Sequence, residues 1–160
     1  MQDEASPIHA PALWWAVKVI AGVGVIAWFA LSAFTHPPIA APVTFLFVVG
    51  QVVVVTGALV HLVHYGILKR QSPALSAPVA LVTRGGLYGW IRHPMYLGDA
   101  LVLLGFTLMK PDAVTVLFGA AGILAIDRQC AAEDDQLLQM FGSDFVRWEE
   151  STRRFIPGLR

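Results

Sequence analysis

The chain has 160 residues, of which 56% are hydrophobic and 14% charged, and its mean hydropathy is +0.64. A soluble domain carries about 25% charged residues, so the balance argues against a water-soluble fold and a nucleic-acid partner, and for one compact membrane unit. The formal net charge is zero, which leaves the information in where the charges fall; the lone Cys130 excludes an intrachain disulfide and a cysteine-based zinc cluster.

Ahead of Lys18 there are Asp3 and Glu4 but no Lys or Arg. The basic start of a signal peptide is therefore missing, and the first apolar segment is expected to stay attached. That segment, residues 12–34, is long enough to cross a bilayer, which takes about 20 apolar residues. Trp14 and Trp15 stand at one end as interfacial aromatics, with Lys18 close enough to that end to snorkel. Gly22 and Gly24 permit close helix contact. The proline-rich stretch 35–42, which includes His36, reads as a short connector. A second span covers 43–68, where the valine run 52–55 would suit a strand in water but is expected to be helical in a bilayer, because an isolated strand leaves its backbone unsatisfied.

Residues 69–94 are polar and broken by Pro73, Pro78, Gly85 and Gly86, a length of loop that tends to carry function. Third and fourth spans follow at 95–109 and 113–126, both short for a full crossing, joined by a tight reversal at Lys110, Pro111 and Asp112. From 127 to 160 the chain turns amphipathic, with Leu137, Leu138 and Phe141 on one side of a helix that continues the fourth span. Gly142 suits a helix C-terminus. Ser143 and Asp144 are expected to cap a last helix bearing Phe145 and Trp148. The expected fold is thus all-α and polytopic: four transmembrane helices with a C-terminal helical extension in a single domain. Lys69, Arg70, Arg84 and Arg92 share one loop and Arg128, Arg147, Arg153, Arg154 and Arg160 the tail, against Lys110 alone opposite. That bias places both termini and the long loop in the cytoplasm.

The stretch from Thr83 to Asp99, T-R-G-G-L-Y-G-W-I-R-H-P-M-Y-L-G-D, gathers cations and aromatics where a glycine-punctuated loop meets a helix. Gly85 and Gly86 open backbone conformations closed to other residues, and Pro94 belongs in the first helical turn. Arg92 and His93 offer donors, while Tyr88, Trp90 and Tyr96 offer flat faces, a set suited to an anionic ligand with an aromatic part. Equally, Trp90 and Tyr96 read as interfacial anchors, with Arg92 and His93 marking the cytoplasmic edge. Asp99 lies inside the third span near the face of Tyr96, and an intramembrane carboxylate is either functional or paired with a cation such as Arg92 or Lys18. His61 and His64 share a face of the second span and read as polar packing against the loop or as metal or haem ligands. No further ligands are spaced to match. The polar groups before the third span and after the fourth emerge on one side of the membrane and are expected to be neighbours.

The sequence L-V-T-R-G-G-L-Y-G-W-I-R-H-P-M-Y-L-G, followed by E-D-D-Q-L-L-Q-M-F-G-S-D-F-V-R-W and then R-F-I-P, resembles the isoprenylcysteine carboxyl methyltransferase and phospholipid methyltransferase family of integral membrane enzymes, over residues 81–157. The resemblance implies a helical membrane enzyme using S-adenosylmethionine to methylate a lipophilic acceptor drawn from the bilayer. It places Leu81, Val82, Thr83, Tyr88, His93, Pro94, Met95, Tyr96 and Glu133 on cofactor-binding positions. Asp134 stands where the family has a second glutamate, and Arg92 is an alternative to His93 for the cofactor's carboxylate. The family's Gly-Pro-Tyr is Gly86, Leu87 and Tyr88 here, and its R-V-P is Ser151, Thr152 and Arg153. Gln129 occupies the position of an arginine thought to contact substrate; Arg128 is adjacent but rotated by about 100 degrees on a helix.

Gln129 in place of that arginine, together with Asp99, points to an amine or hydroxyl acceptor with Asp99 as base or binding group. Arg128 is the substrate arginine if the acceptor is a carboxylate. Two other classes remain open: a noncatalytic membrane protein binding lipid or a protein partner, and a haem protein.

Overall fold

In the computed structural model, residues 9–35, 41–71 and 81–155 are described. His36, Pro73, Pro78, Pro157, Arg160 and the acidic residues Asp3 and Glu4 lie outside the described residues. The elements are α1 (His9–Thr35), α2 (Ala41–Gln71), α3 (Pro94–Met109), α4 (Ala113–Phe141) and α5 (Ser143–Ser151), with a 3-10 turn at Gly86–Gly89 before α3. The valine run 52–55 is helical within α2.

Three helices carry stretches long and apolar enough to cross a membrane: Ala12–Ser32, Phe45–Gln71 and Ala113–Phe141. This supports an all-α integral membrane protein but corrects the expectation of four spans. α3 has 16 residues, about 24 Å at the rise of an α-helix, against a hydrocarbon core of about 30 Å. It starts late because the residues before Pro94 are drawn into a loop packed on α4 and α5. Exposed apolar side chains run along α1 and α2, among them Ile20, Val23, Phe45, Val52, Leu59 and Leu62, an arrangement suited to hydrocarbon surroundings.

The helices run alternately up and down. Trp28 Nε1 donates to Asp112 Oδ2 at 2.9 Å, which sets the end of α1 beside the start of α4. That start is built locally: the Asp112 side chain accepts from Thr115 N–H while the Thr115 hydroxyl accepts from Asp112 N–H, a capping box that satisfies two orphan donors. α2 and α3 meet through backbone. A Cβ on Gly57 would lie 2.7 Å from Gly98 O, and one on Gly105 would lie 2.7 Å from Gly50 O. Glycines seven residues apart on each helix thus let two backbones touch. α1 packs on α4 instead, where Gly24 admits the ring of Phe118; Gly22, expected to share in such a contact, has nothing within 4 Å of a Cβ built on it. The core joins Val25 of α1, Leu103 of α3 and Ile126 and Cys130 of α4.

α2 runs ten residues past His61, and α4 runs eight past Glu133. Between these projecting ends a second cluster forms from Val82, Tyr88, Phe145 and Trp148, with Ile67, Leu68, Leu137 and Phe141 packed against it. Leu138, expected on that same side, is exposed, being one residue and about 100 degrees from Leu137. Gly142, at φ 51°, closes α4 and itself precedes α5, which has no side-chain cap. Ser143 and Asp144 therefore begin α5 instead of capping it, and Asp144 pairs with Arg147 one turn on.

Candidate functional site

The loop before α3 is fixed at both ends. Gly85 and Gly86 take φ of 103° and 52°, values that favour glycine, and a Cβ on Gly86 would meet His64 Nε2 at 2.5 Å. His64 uses that closeness: Leu87 N–H donates to its Nε2 at 2.9 Å, and its Nδ1 lies 2.7 Å from Val60 O. The buried histidine of α2 is thereby a staple for the turn. Downstream, Arg92 N–H donates to Arg153 O and Arg153 N–H to Trp90 O, so the chain after α5 lies alongside the loop as a short parallel bridge. Pro94 then starts α3 in its first turn.

These constraints aim His93 and Tyr96 at α4. His93 Nε2 lies 2.8 Å from Asp134 Oδ1, and its Nδ1 lies 3.7 Å from Glu133 Oε2. The Tyr96 hydroxyl donates to Glu133 Oε1 and accepts from Gln129 Nε2 at 2.7 Å. The two polar segments are neighbours, as the hairpin argument requires. Glu133 is one third exposed while His93 and Asp134 are buried, so the glutamate faces outward from a sealed base. Gln129 Oε1 is buried with no hydrogen-bond partner among the described residues.

Asp134 is also 3.1 Å from Arg154 Nη2, and Arg154 Nη1 reaches Asp127 at 3.3 Å. Burial disfavours the charge on Arg154, but Asp134 and Asp127 together hold its guanidinium above the ordinary arginine value. Arg92 is buried; its Nη1 donates to the main-chain oxygens of Glu149 and Thr152, its Nη2 lies 3.1 Å from the Glu149 carboxylate, and its Nε lies 3.4 Å from Asp134. It therefore ties down the carboxyl end of α5, where unsatisfied carbonyls attract a cation.

Tyr88 sits in the hydrophobic cluster with its ring edge-on to His64. Burial pushes its phenol above the ordinary tyrosine range, and Trp148 Nε1 donates to its main-chain oxygen at 3.3 Å. Residues 81–84 have no regular secondary structure; Val82 is buried, and Leu81, Val82 and Thr83 make no main-chain hydrogen bond among the described residues. Met95 is half-buried in the first turn of α3, while Trp90 is 69% exposed. Arg128 is exposed on α4, outside this cluster.

Asp99 lies elsewhere. Its Oδ2 is 2.8 Å from Lys18 Nζ and its Oδ1 is 2.7 Å from His61 Nδ1. Lys18 thus turns inward to a carboxylate, correcting the expectation that it snorkels: an inward ion pair replaces the solvation it would seek at the interface. Its ammonium also lies 4.5 Å from the centre of the Tyr96 ring. Among the described residues, no group of three or more His, Cys, Asp or Glu is arranged for a metal.

Sequence reasoning missed Arg154, Gln129 as the partner of Tyr96, and the meeting of Lys18 with His61. Arg154 has a local signal, the R-R-F-I-P tail, but Lys18 and His61 lie outside every motif.

No family model matches the chain, and no solved structure matches it. Over 80 residues it is 29% identical to the protein-S-isoprenylcysteine O-methyltransferase of Dictyostelium discoideum. The chain spans about a third of that protein's length, since the alignment covers 49% of this chain and 33% of the relative. What the comparison gives is a chain similar, over about half its length, to an isoprenylcysteine O-methyltransferase.

Proposed function

We propose that the protein is a multi-pass membrane methyltransferase that uses S-adenosylmethionine to methylate a lipid-like acceptor at the membrane interface. The observation that carries this reading is the junction of α3 and α4, where Tyr96 and His93 meet Glu133 and Asp134 beside the unpartnered oxygen of Gln129. The donor set fits the cofactor. Glu133 and Gln129 Oε1 are acceptors for its ammonium. The main chain of Leu81, Val82 and Thr83 has donors and acceptors for the adenine edge. Bound there, the cofactor would supply an electrophilic methyl group on sulfur.

The chain's own residues do the positioning. Asp134, held by His93 and Arg154, fixes the rotation of α4 against α3 and so the place of Glu133. Arg92 and the bridge between Ile91 and Arg153 hold the tail over the loop, a cover that keeps water from the cluster. Lys69, Arg70, Arg84, Arg147 and Arg153 lie at the end of the bundle that bears this cluster and Lys110 at the other, which supports a cytoplasmic site and cytoplasmic termini.

Titration calorimetry of the detergent-solubilised chain tests the cofactor. Glu133→Ala should weaken S-adenosylmethionine binding by about 1 to 3 kcal/mol, the loss of a charge-assisted hydrogen bond, with Arg128→Ala unchanged. Absence of cofactor binding to the unaltered protein would remove the reading and favour a noncatalytic lipid-binding role. For a haem, the engagement of both ring nitrogens of His64 leaves that histidine without a ligating atom.

A further inference from the structure

Because α1 packs on α4 and α2 on α3, a groove of about 500 Å³ opens between α1 and α2. Its wall is apolar along Val19, Val23, Leu62 and Val102, and Lys18, His61 and Asp99 also line it. The size suits a lipophilic small molecule. Through Lys18, whose ammonium lies over the Tyr96 ring, the polar part of the groove adjoins the cluster around Glu133. We propose that this groove is the acceptor site and takes an amphiphile carrying a phenolic hydroxyl, with its apolar chain between α1 and α2 and His61 as the general base. The inference rests on the methyltransferase reading above and names its acceptor.

The charges select the head group. The charge of Asp99 is already matched by Lys18 at Oδ2, with His61 close to Oδ1, so the groove offers no unpaired negative charge to a cationic amine, and the nearby ammonium repels one. His61 Nδ1 lies 2.7 Å from Asp99 Oδ1 without hydrogen-bond alignment; a proton kept on Nδ1 by the adjacent carboxylate leaves Nε2 as the basic nitrogen of the ring, and a small rotation gives the arrangement by which a carboxylate orients a histidine base. Asp99 is then a positioning residue. A carboxylate acceptor would need no base. Among hydroxyls the acidity decides: a phenol loses its proton near about pH 10 against about 6.5 for imidazole, a gap a concerted transfer can bridge. An alkanol, near the value of water at about 16, lies too far. In the transfer the hydroxyl proton passes to His61 Nε2 and the oxygen forms its bond to methyl. With the cofactor bound, the bond from methyl to sulfur would break with its electron pair staying on sulfur, and the proton would leave to water. The groups facing His61 are Asp99 of α3 and Lys18 of α1, with the Met95 main chain near and Tyr65 of its own helix stacked on the ring.

The test uses the full chain in detergent and dodecylphenol as probe. A Cβ on Gly22, which lines the groove, meets nothing within 4 Å, so Gly22→Leu fills the groove without strain. It should weaken probe binding, measured without methyl donor, by about tenfold or more and leave S-adenosylmethionine binding unchanged. With methyl donor, His61→Gln should lower ether formation about 100-fold and abolish the acidic limb of the pH profile, and Asp99→Asn should displace that limb. Equal probe binding by Gly22→Leu would overturn the site, as would faster methylation of dodecanoate or dodecylamine than of the phenol. An unchanged limb in His61→Gln overturns the base. If the cofactor does not bind but Gly22→Leu still blocks the probe, the methyltransferase reading falls together with the role of His61 as base and the phenolic acceptor, and the groove stands as a site for an apolar chain.

Discussion

Asp99 is clamped by a histidine and one cation and Asp134 by a histidine and two, and they sit in opposite surroundings. Asp134 has an 8% exposed side chain enclosed by His93, Arg92 and Arg154, whereas Asp99 is 21% exposed and lines the groove with Lys18 and His61. A sealed clamp contributes position, because nothing else can reach its carboxylate and breaking it strands buried charge. An open clamp can act on a ligand, because the histidine it orients still meets the groove. The same residue types thus serve structure in one place and chemistry in the other, and access separates the two roles.

Breaking the sealed clamp should have the largest effect. Asp134→Ala removes the carboxylate that His93, Arg92 and Arg154 share and leaves only the more exposed Glu133, Glu149 and Asp127 beside them, and a loss of about 3 kcal/mol is expected in unfolding experiments in detergent. Asp99→Asn should cost roughly half of that or less, since the groove admits water or lipid polar groups to its partners. Equal losses would break the comparison.

A smaller effect sharpens it by moving one clamp alone. A Cβ on Gly98 would lie 2.7 Å from both Gly57 O and His61 N. Gly98→Val should therefore push α3 off α2 and part His61 from Asp99, at about 1 to 3 kcal/mol, leaving His93 beside Asp134. Loss of dodecylphenol binding with S-adenosylmethionine binding retained is the expected readout.

The smallest effect concerns a third carboxylate, with no histidine, at the far end of the bundle. Burial alone would raise Asp112, but hydrogen bonds from Thr115 N–H, Trp28 and Lys110 outweigh it and bring its pKa down to about 2. A carboxyl lowered on folding stabilises the fold above its unfolded value and loses that contribution as pH falls through the folded one. Asp112→Ala should cost about 1 kcal/mol at neutral pH, with the difference vanishing between about pH 4 and pH 2. Unfolding curves across that range measure it.

Much of the cluster at the junction of α3 and α4 was legible because its signals are local. Gly85 and Gly86 announce positive φ, Pro94 announces a first turn, and a reversal at Pro111 returns α4 to the level of α3 so that Glu133 and Asp134 face Tyr96 and His93. The limit shows at Arg92. Its motif position suggests a ligand, but the donors go to the end of α5, and nothing within the motif reveals where α5 ends in space. The expected third span failed for a related reason: hydropathy marks residues 95–109 as apolar without revealing that the loop before them is anchored deep against α4 and α5.

By itself the sequence determined that the chain is helical, that long apolar segments set its spans, and where its polar ends fall, since hydrocarbon leaves a backbone few ways to satisfy its hydrogen bonds. Only the tertiary structure decided that Lys18 and Asp99, 81 residues apart, meet His61 at a groove. Helix rotation and register make that meeting: backbone contact at Gly50, Gly57, Gly98 and Gly105 sets α2 against α3 and the packing of α1 on α4 brings in Lys18, close-packing conditions that no periodicity along one chain segment expresses.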